Sequence, residues 1–390
     1  MKTNSSSISP LDLALSVFCF MQGTVLRSGY IINITRQDSW AMAITGFLFM
    51  LPILGVYAGL IKKFPGKNLF EIDDIAFGPV LGKIASALYL FFFVTLAALN
   101  MRDLGNFVVD FIMPETPLIA ILMISLIGCV YAIRKGIRNI MHLSAFVAII
   151  AIASIIMNSI LVLKDIEPGF LKPIFQLEPM KYVHGTVSVG SLPMGEVVVF
   201  LMFIPMLGKG SKASKPILVG LILSALSMAL VILRDIVTLG PLVAIVSLPS
   251  FESVRYISLA GILTRMESVY AVVLIQLFLF KISILLYSFT LGLTQLLSPK
   301  DSVPVSIGVE SRIYEGGQLQ CERNRPPLLF LCAALVFFYS LIIFQSVMEN
   351  MDWGATTAPF FSLTFEFLLP AATLLTAWLR SFGKAREVKA

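Results

Sequence analysis

Ten stretches of about twenty mostly apolar residues follow one another along the chain, separated by short polar segments. They lie near 11–33, 41–61, 84–109, 117–133, 141–163, 187–207, 217–240, 267–297, 327–347 and 358–379. A helix crossing a hydrocarbon core of ~30 Å needs about 20 such residues. Because no water is available there, each backbone polar group must be satisfied inside its own helix. The pattern therefore predicts an all-α integral membrane protein of about ten transmembrane helices. Ten spans divide into two sets of five, and since five is odd, the second set enters the membrane from the opposite face. That is the arithmetic of an inverted repeat, with repeat one at 11–163, repeat two at 187–379, and tails at 1–10 and 380–390. Together they form a single transporter-like domain over 1–390.

Composition agrees with this reading. Of 390 residues, 57% are hydrophobic and 13% charged, with a mean hydropathy of +0.90; soluble domains carry roughly 25% charged residues. The net charge of +6 is spread over the loops rather than gathered in a basic patch, so no nucleic-acid partner is expected. With the N-terminus inside, 19 basic residues fall in cytoplasmic segments and 7 in external ones, Arg234 and Arg255 among the latter. The positive-inside rule then places both termini in the cytoplasm. One lysine and no small-residue cleavage site near the start predict that the first span is retained. Cys19, Cys129, Cys321 and Cys332 show no C-x-x-C spacing and are read as packing residues.

Two spans are interrupted at corresponding places in the two halves. Span one carries Gly23-Thr24-Val25-Leu26-Arg27-Ser28-Gly29, and span six opens Gly190-Ser191-Leu192-Pro193-Met194-Gly195-Glu196. Paired interruptions of this kind point to a binding site, because a broken helix frees backbone groups for a ligand's charged ends. Glu196, just after the second break, could hold a ligand ammonium, a proton or a cation, or could form a structural pair with Arg102 or Lys281. Lys281, mid-span in the eighth run, calls for a carboxylate partner or for loss of its proton. Arg102 and Asp103 point about 100° apart on one helix and need separate partners. Arg27 lies within snorkelling reach of the outer interface or acts as a gate. The polar stretch 243–265 is expected either to fold over the outer mouth as a lid or to lie as a surface helix. The lysines and glycines at 208–212 lack phosphate-loop spacing, and neither His142 nor His184 nor any G-x-S-x-G supplies hydrolytic machinery. No enzymatic activity, cofactor or metal is expected.

Several strings taken together resemble a known family: QDSW (37–40), FPGKNLFE (64–71), RDLGNF (102–107), PETPL (114–118), RKG (134–136), LPMGEVVVFLMFIPML (192–207), LGP (239–241), Glu267, and KIS (281–283). Their order and spacing resemble the endospore germination permeases, the B subunits of nutrient germinant receptors, within the amino acid/polyamine/organocation transporter superfamily. The resemblance implies a LeuT/APC-like 5+5 inverted repeat in which broken spans one and six line a central site that spans three and eight complete. In that frame the ligand-binding candidates are Gly23, Thr24, Val25, Asn100, Ser191, Pro193, Met194, Gly195, Glu196 and Phe200. It also implies a small nutrient ligand such as an amino acid, A and C subunits as partners, surrounding membrane lipid, and a place in the spore inner membrane. Lys281 could replace a sodium ion commonly framed by spans one and eight. Met194, Gln276 and Arg27 depart from the family pattern. Alternatives to the receptor are a proton- or sodium-coupled secondary amino acid transporter and a gated conduit for water or ions.

Overall fold

The computed structural model describes residues 8–25, 29–207, 213–257, 266–297 and 326–387. Among these residues the regular structure is helical, and the sole bridge between extended segments joins Ile8 to Leu207. The helices are α1 (Pro10–Val25), α2 (Gly29–Thr35), α3 (Ser39–Lys63), α4 (Leu69–Phe77), α5 (Leu81–Phe111), α6 (Leu118–Arg134), α7 (Ile137–Leu161) and α8 (Pro179–Ser191). A 3-10 helix, Met194–Met206, follows. Next come α9 (Ser214–Leu239), α10 (Pro249–Ile257), α11 (Met266–Leu297), α12 (Pro326–Ile342), α13 (Val347–Thr356), α14 (Ala358–Leu363), a π-helical turn at Thr364–Leu368, and α15 (Leu369–Glu387).

Seven helical stretches among the described residues are long and apolar enough to cross a membrane, or eight if α12 and α13 count as one bent span. Two predicted spans correspond to shorter helices: the fourth to α6 at 17 residues, and the first to α1 at 16 residues followed by α2. The ninth ends earlier than its apolar run suggests, because the chain turns by 98° between α12 and α13.

Burial separates core from periphery. The best apolar window of Pro179–Met206 is 94% buried and those of α5 and α11 are 72% buried, against 28% for Gly29–Lys63. The first three form the centre, with α1 packed among them. The outer helices turn large apolar side chains outward, as at Ile124, Phe146, Leu226 and Phe338, which suits a lipid environment.

Short polar motifs hold the elements in register. Asn68 caps α4 by accepting from the Glu71 backbone N–H at 3.0 Å, while Glu71 accepts from the Asn68 N–H at 2.9 Å, a reciprocal capping box. The helix stops at Gly78, whose φ of +87° is open to glycine and strained for other residues, and Arg380 donates to the free carbonyls of Ile75 and Phe77. Asp38 of the QDSW string accepts from the Phe175 N–H at 3.0 Å and the Tyr182 hydroxyl at 2.8 Å, tying the chain before α8 to the start of α3. Arg234 is buried within α9 rather than placed in an external segment. Its guanidinium bonds Asp235, whose oxygens also accept from Ser250 at 2.5 Å and Ser253 at 2.6 Å. A carboxylate that needed partners in the interior thus fixes α10 against α9.

Candidate functional site

The sixth span is broken. Its α-helix ends at Ser191, Leu192 is extended (φ −114°, ψ 107°), and a 3-10 coil resumes at Met194. Pro193 supplies no N–H, so the helical ladder cannot continue unbroken through it. Of the first span the structure describes α1, to Val25, and α2, from Gly29. The start of α2 reaches the break in the sixth span: the Tyr30 hydroxyl donates to the Leu192 carbonyl at 2.9 Å. At one end of the molecule Ile8 donates to the Met206 carbonyl at 3.0 Å, so span one starts where span six finishes.

Lys281 crosses this junction. Its ammonium, with no exposed surface, forms an ion pair with Glu196 and donates to the Thr24 hydroxyl. It also lies 4.7 Å from the centre of the Phe20 ring, a further favourable contact for a cation. One side chain of α11 therefore ties span one to span six. Removing either charge would leave the other buried without a counter-charge, the costly case for an interior ion.

Beside the pair lies a cavity of about 70 Å³. Thr24, Asn100, Asp103 and Glu196 give it polar walls, Leu96, Leu99 and Leu192 apolar ones. Its cover is α13, which brings Asn350, Met351, Trp353 and Gly354 to the lining. Asn350 donates to Asp103 at 2.6 Å and so latches the cover to α5. Among the described residues of the polar stretch between α9 and α11, Ser247 alone reaches the lining, and residues 258–265 of that stretch lie outside the described residues. Among the described residues the cover thus comes chiefly from 347–356, which is polar enough to read as a loop beside the ninth span. Its start carries a signal: Ser346 accepts from the Glu349 N–H at 3.1 Å, the S-x-x-E pattern of a helix N-terminus.

Three of the ligand candidates, Thr24, Asn100 and Glu196, line this cavity. The others stand behind its wall or beside it. Gly23 packs against the Leu277 carbonyl and the Lys281 stem, Ser191 donates back to the Val187 carbonyl at 2.8 Å, and Phe200 meets Phe20 edge-on at 5.4 Å. Pro193 and Met194 form the break itself, with Met194 buried. Gly195 faces Glu366: a β-carbon there would lie 1.9 Å from the Glu366 Oε2. Arg27 and the side chain of Val25 lie outside the described residues. Arg102 is no partner of Glu196; it donates to the Ser340 and Leu341 carbonyls at 3.4 and 3.3 Å, capping the end of α12. Tyr30, Asn350 and Glu366 are the site residues the sequence pattern did not single out, while Asp103, read as an acid in need of a partner, finds one in Asn350. An acid within an apolar run was the available signal for Glu366.

The model of the spore germination protein family matches residues 7–309. Spore germination protein KB of Bacillus subtilis is 24% identical over 392 residues, covering 98% of each chain. Spore germination protein YndE of the same organism is 23% identical over 318 residues, 80% of this chain and 85% of that one. Among solved structures, Mhp1, a nucleobase-cation-symport-1 family transporter in a closed conformation with bromovinylhydantoin bound, aligns at TM-score 0.52 and 13% identity, over 99% of this chain and 95% of that one. That likeness shows a shared transporter fold. With the matched region covering most of its length, this integral membrane chain belongs to the spore germination protein family of permeases.

Proposed function

We propose that this protein is the B subunit of a nutrient germinant receptor, binding a small nutrient, most simply an amino acid, in the cavity between the two broken spans to trigger spore germination. The observation that carries the reading is the cavity itself, set at the junction of the breaks and walled by Thr24, Asn100, Asp103 and Glu196. Its volume is several times the ~10–15 Å³ that a single water needs, which leaves room for a small polar ligand. Carboxylates at Asp103 and Glu196 suit an ammonium group, and the N–H groups that open the Met194–Met206 coil suit a carboxylate. Membership of the germination family supports the role in spores, and with it A and C subunits as partners in the inner membrane.

The 5+5 inverted repeat belongs to the same proposal and is supported by reciprocal packing. If α1 to α7 supply spans one to five and α8 to α15 supply six to ten, span one packs on span seven as span six packs on span two. Span three packs on nine as span eight packs on four, while two with seven, three with eight and four with nine pair with their own counterparts. The excess of basic residues in alternate loops supports cytoplasmic termini.

A second reading, an amino acid symporter, is favoured by the Mhp1 likeness and by Lys281, whose ammonium links spans eight and one where a coupling cation could sit. Reconstituting the purified chain into liposomes separates the two. Saturable retention of an amino acid without net uptake supports the receptor, and accumulation driven by a proton or sodium gradient supports the symporter.

A further inference from the structure

Glu366 is a second buried acid of the central cluster with no role in the cavity. It sits on the π-helical turn Thr364–Leu368, has no exposed surface, and presses its carboxyl group against Gly195, the residue before Glu196. Among the described residues neither of its oxygens has a hydrogen-bond partner. The charged and titratable groups facing it are Glu196 from the 194–206 coil, Lys281 from α11, Tyr57 from α3 and Tyr89 from α5. Lys281 is already engaged by Glu196. The Tyr57 hydroxyl donates to the Glu366 backbone carbonyl at 2.5 Å rather than to its carboxyl group.

Two carboxyl groups share one ammonium, so one negative charge is left over in an interior that does not tolerate it. A monovalent or divalent metal would need several oxygens at short range. Gly195 is packed too closely for that, and no described group of three His, Cys, Asp or Glu side chains could hold such an ion. A proton needs only the carboxyl oxygen. Towards the end of the molecule that bears Lys62, Lys63 and Arg380, the Tyr89 hydroxyl is buried and unpartnered, and it interacts with both Glu366 and Asp73. Asp73 accepts from Thr373 at 2.9 Å and leaves its second oxygen free.

We propose that Glu366 is the proton-binding site of the central cluster, bringing Glu196, Lys281 and itself to zero net charge, and that this proton exchanges along Tyr89 and Asp73. The assignment rests on packing and is independent of which nutrient fills the cavity. Infrared spectroscopy of the purified full-length chain at neutral pH tests it. The difference between wild type and Glu366→Gln should contain the carbonyl stretch of one protonated carboxylic acid free of hydrogen bonds, shifting in heavy water. Asp73→Asn should keep that band and slow its exchange. Should Glu366→Gln fail to fold, the band must still be present in Asp73→Asn. Its absence there, or an unchanged acid-carbonyl region between wild type and Glu366→Gln, would overturn the proposal. So would thermal stabilisation by sodium or potassium over choline chloride that is lost in Glu366→Gln, which would make the ligand a metal cation.

Discussion

At the residue scale the account turns on Lys281, Glu196 and Gly195. Lysine in the middle of an apolar run is a demand for a partner, and the sequence offered Glu196 and other acids without choosing among them. Eighty-odd residues of intervening chain separate the two, and only the folded packing brings them together. Lys281→Met leaves Glu196 buried alone and should destabilise the fold by roughly 3–5 kcal/mol, whereas Lys281→Met with Glu196→Gln should recover much of that loss. Thermal unfolding of the two single variants and the double variant measures the coupling. Gly195 is legible as a helix interrupter, but its role as the surface on which Glu366 rests is not, since Glu366 lies 171 residues further along the sequence. Gly195→Ala places a methyl group inside the Glu366 carboxyl and should cost about 1–3 kcal/mol, with part of the loss regained in combination with Glu366→Ala.

At the scale of elements, what could be read was the existence of helices, and what could not was how their ends are finished. All ten apolar runs correspond to helices, because a backbone in lipid has few alternatives. The bend after α12 escaped the pattern because Ile343 and Phe344 stay apolar into the turn, and the polar residues that begin at Gln345 and Ser346 read as a loop rather than as a second helix. The strings that carried the family resemblance prove to be finishing devices: Asp38 anchors the chain before α8, Asn68 and Glu71 cap α4, and Arg102 caps α12 while Asp103 receives the latch from α13. Two expectations belong here. Asn350→Ala removes the latch and leaves Asp103 short of a donor, so amide exchange over 347–356 should accelerate by the equivalent of about 1–3 kcal/mol. Asp235→Asn weakens the buried bond to Arg234 and should speed exchange over 249–257 while leaving 347–356 unaffected, since α10 and α13 are fixed by separate side chains.

For the whole molecule, the arithmetic of ten spans and the loop charges predicts both termini on one side and the two halves inverted. The reciprocal packing of one on seven and six on two agrees with that arrangement, as does the joining of the start of span one to the end of span six through Ile8. Single cysteines in a background lacking the natural ones, placed at Lys63 and at Glu178, should react with a membrane-impermeant reagent from opposite faces. The proposed repeat would set the interruptions of spans one and six face to face, and the central claim is that a small nutrient sits between them. The most direct measurement is retention of compounds from a mixture of amino acids, sugars and nucleosides by the purified full-length chain, compared with Asn100→Leu, which fills the cavity with an apolar side chain. Selective retention of a small amino acid by the wild-type chain, lost in the variant, is the predicted result. Retention of nothing, or equal retention by both proteins, would contradict a binding site at this place.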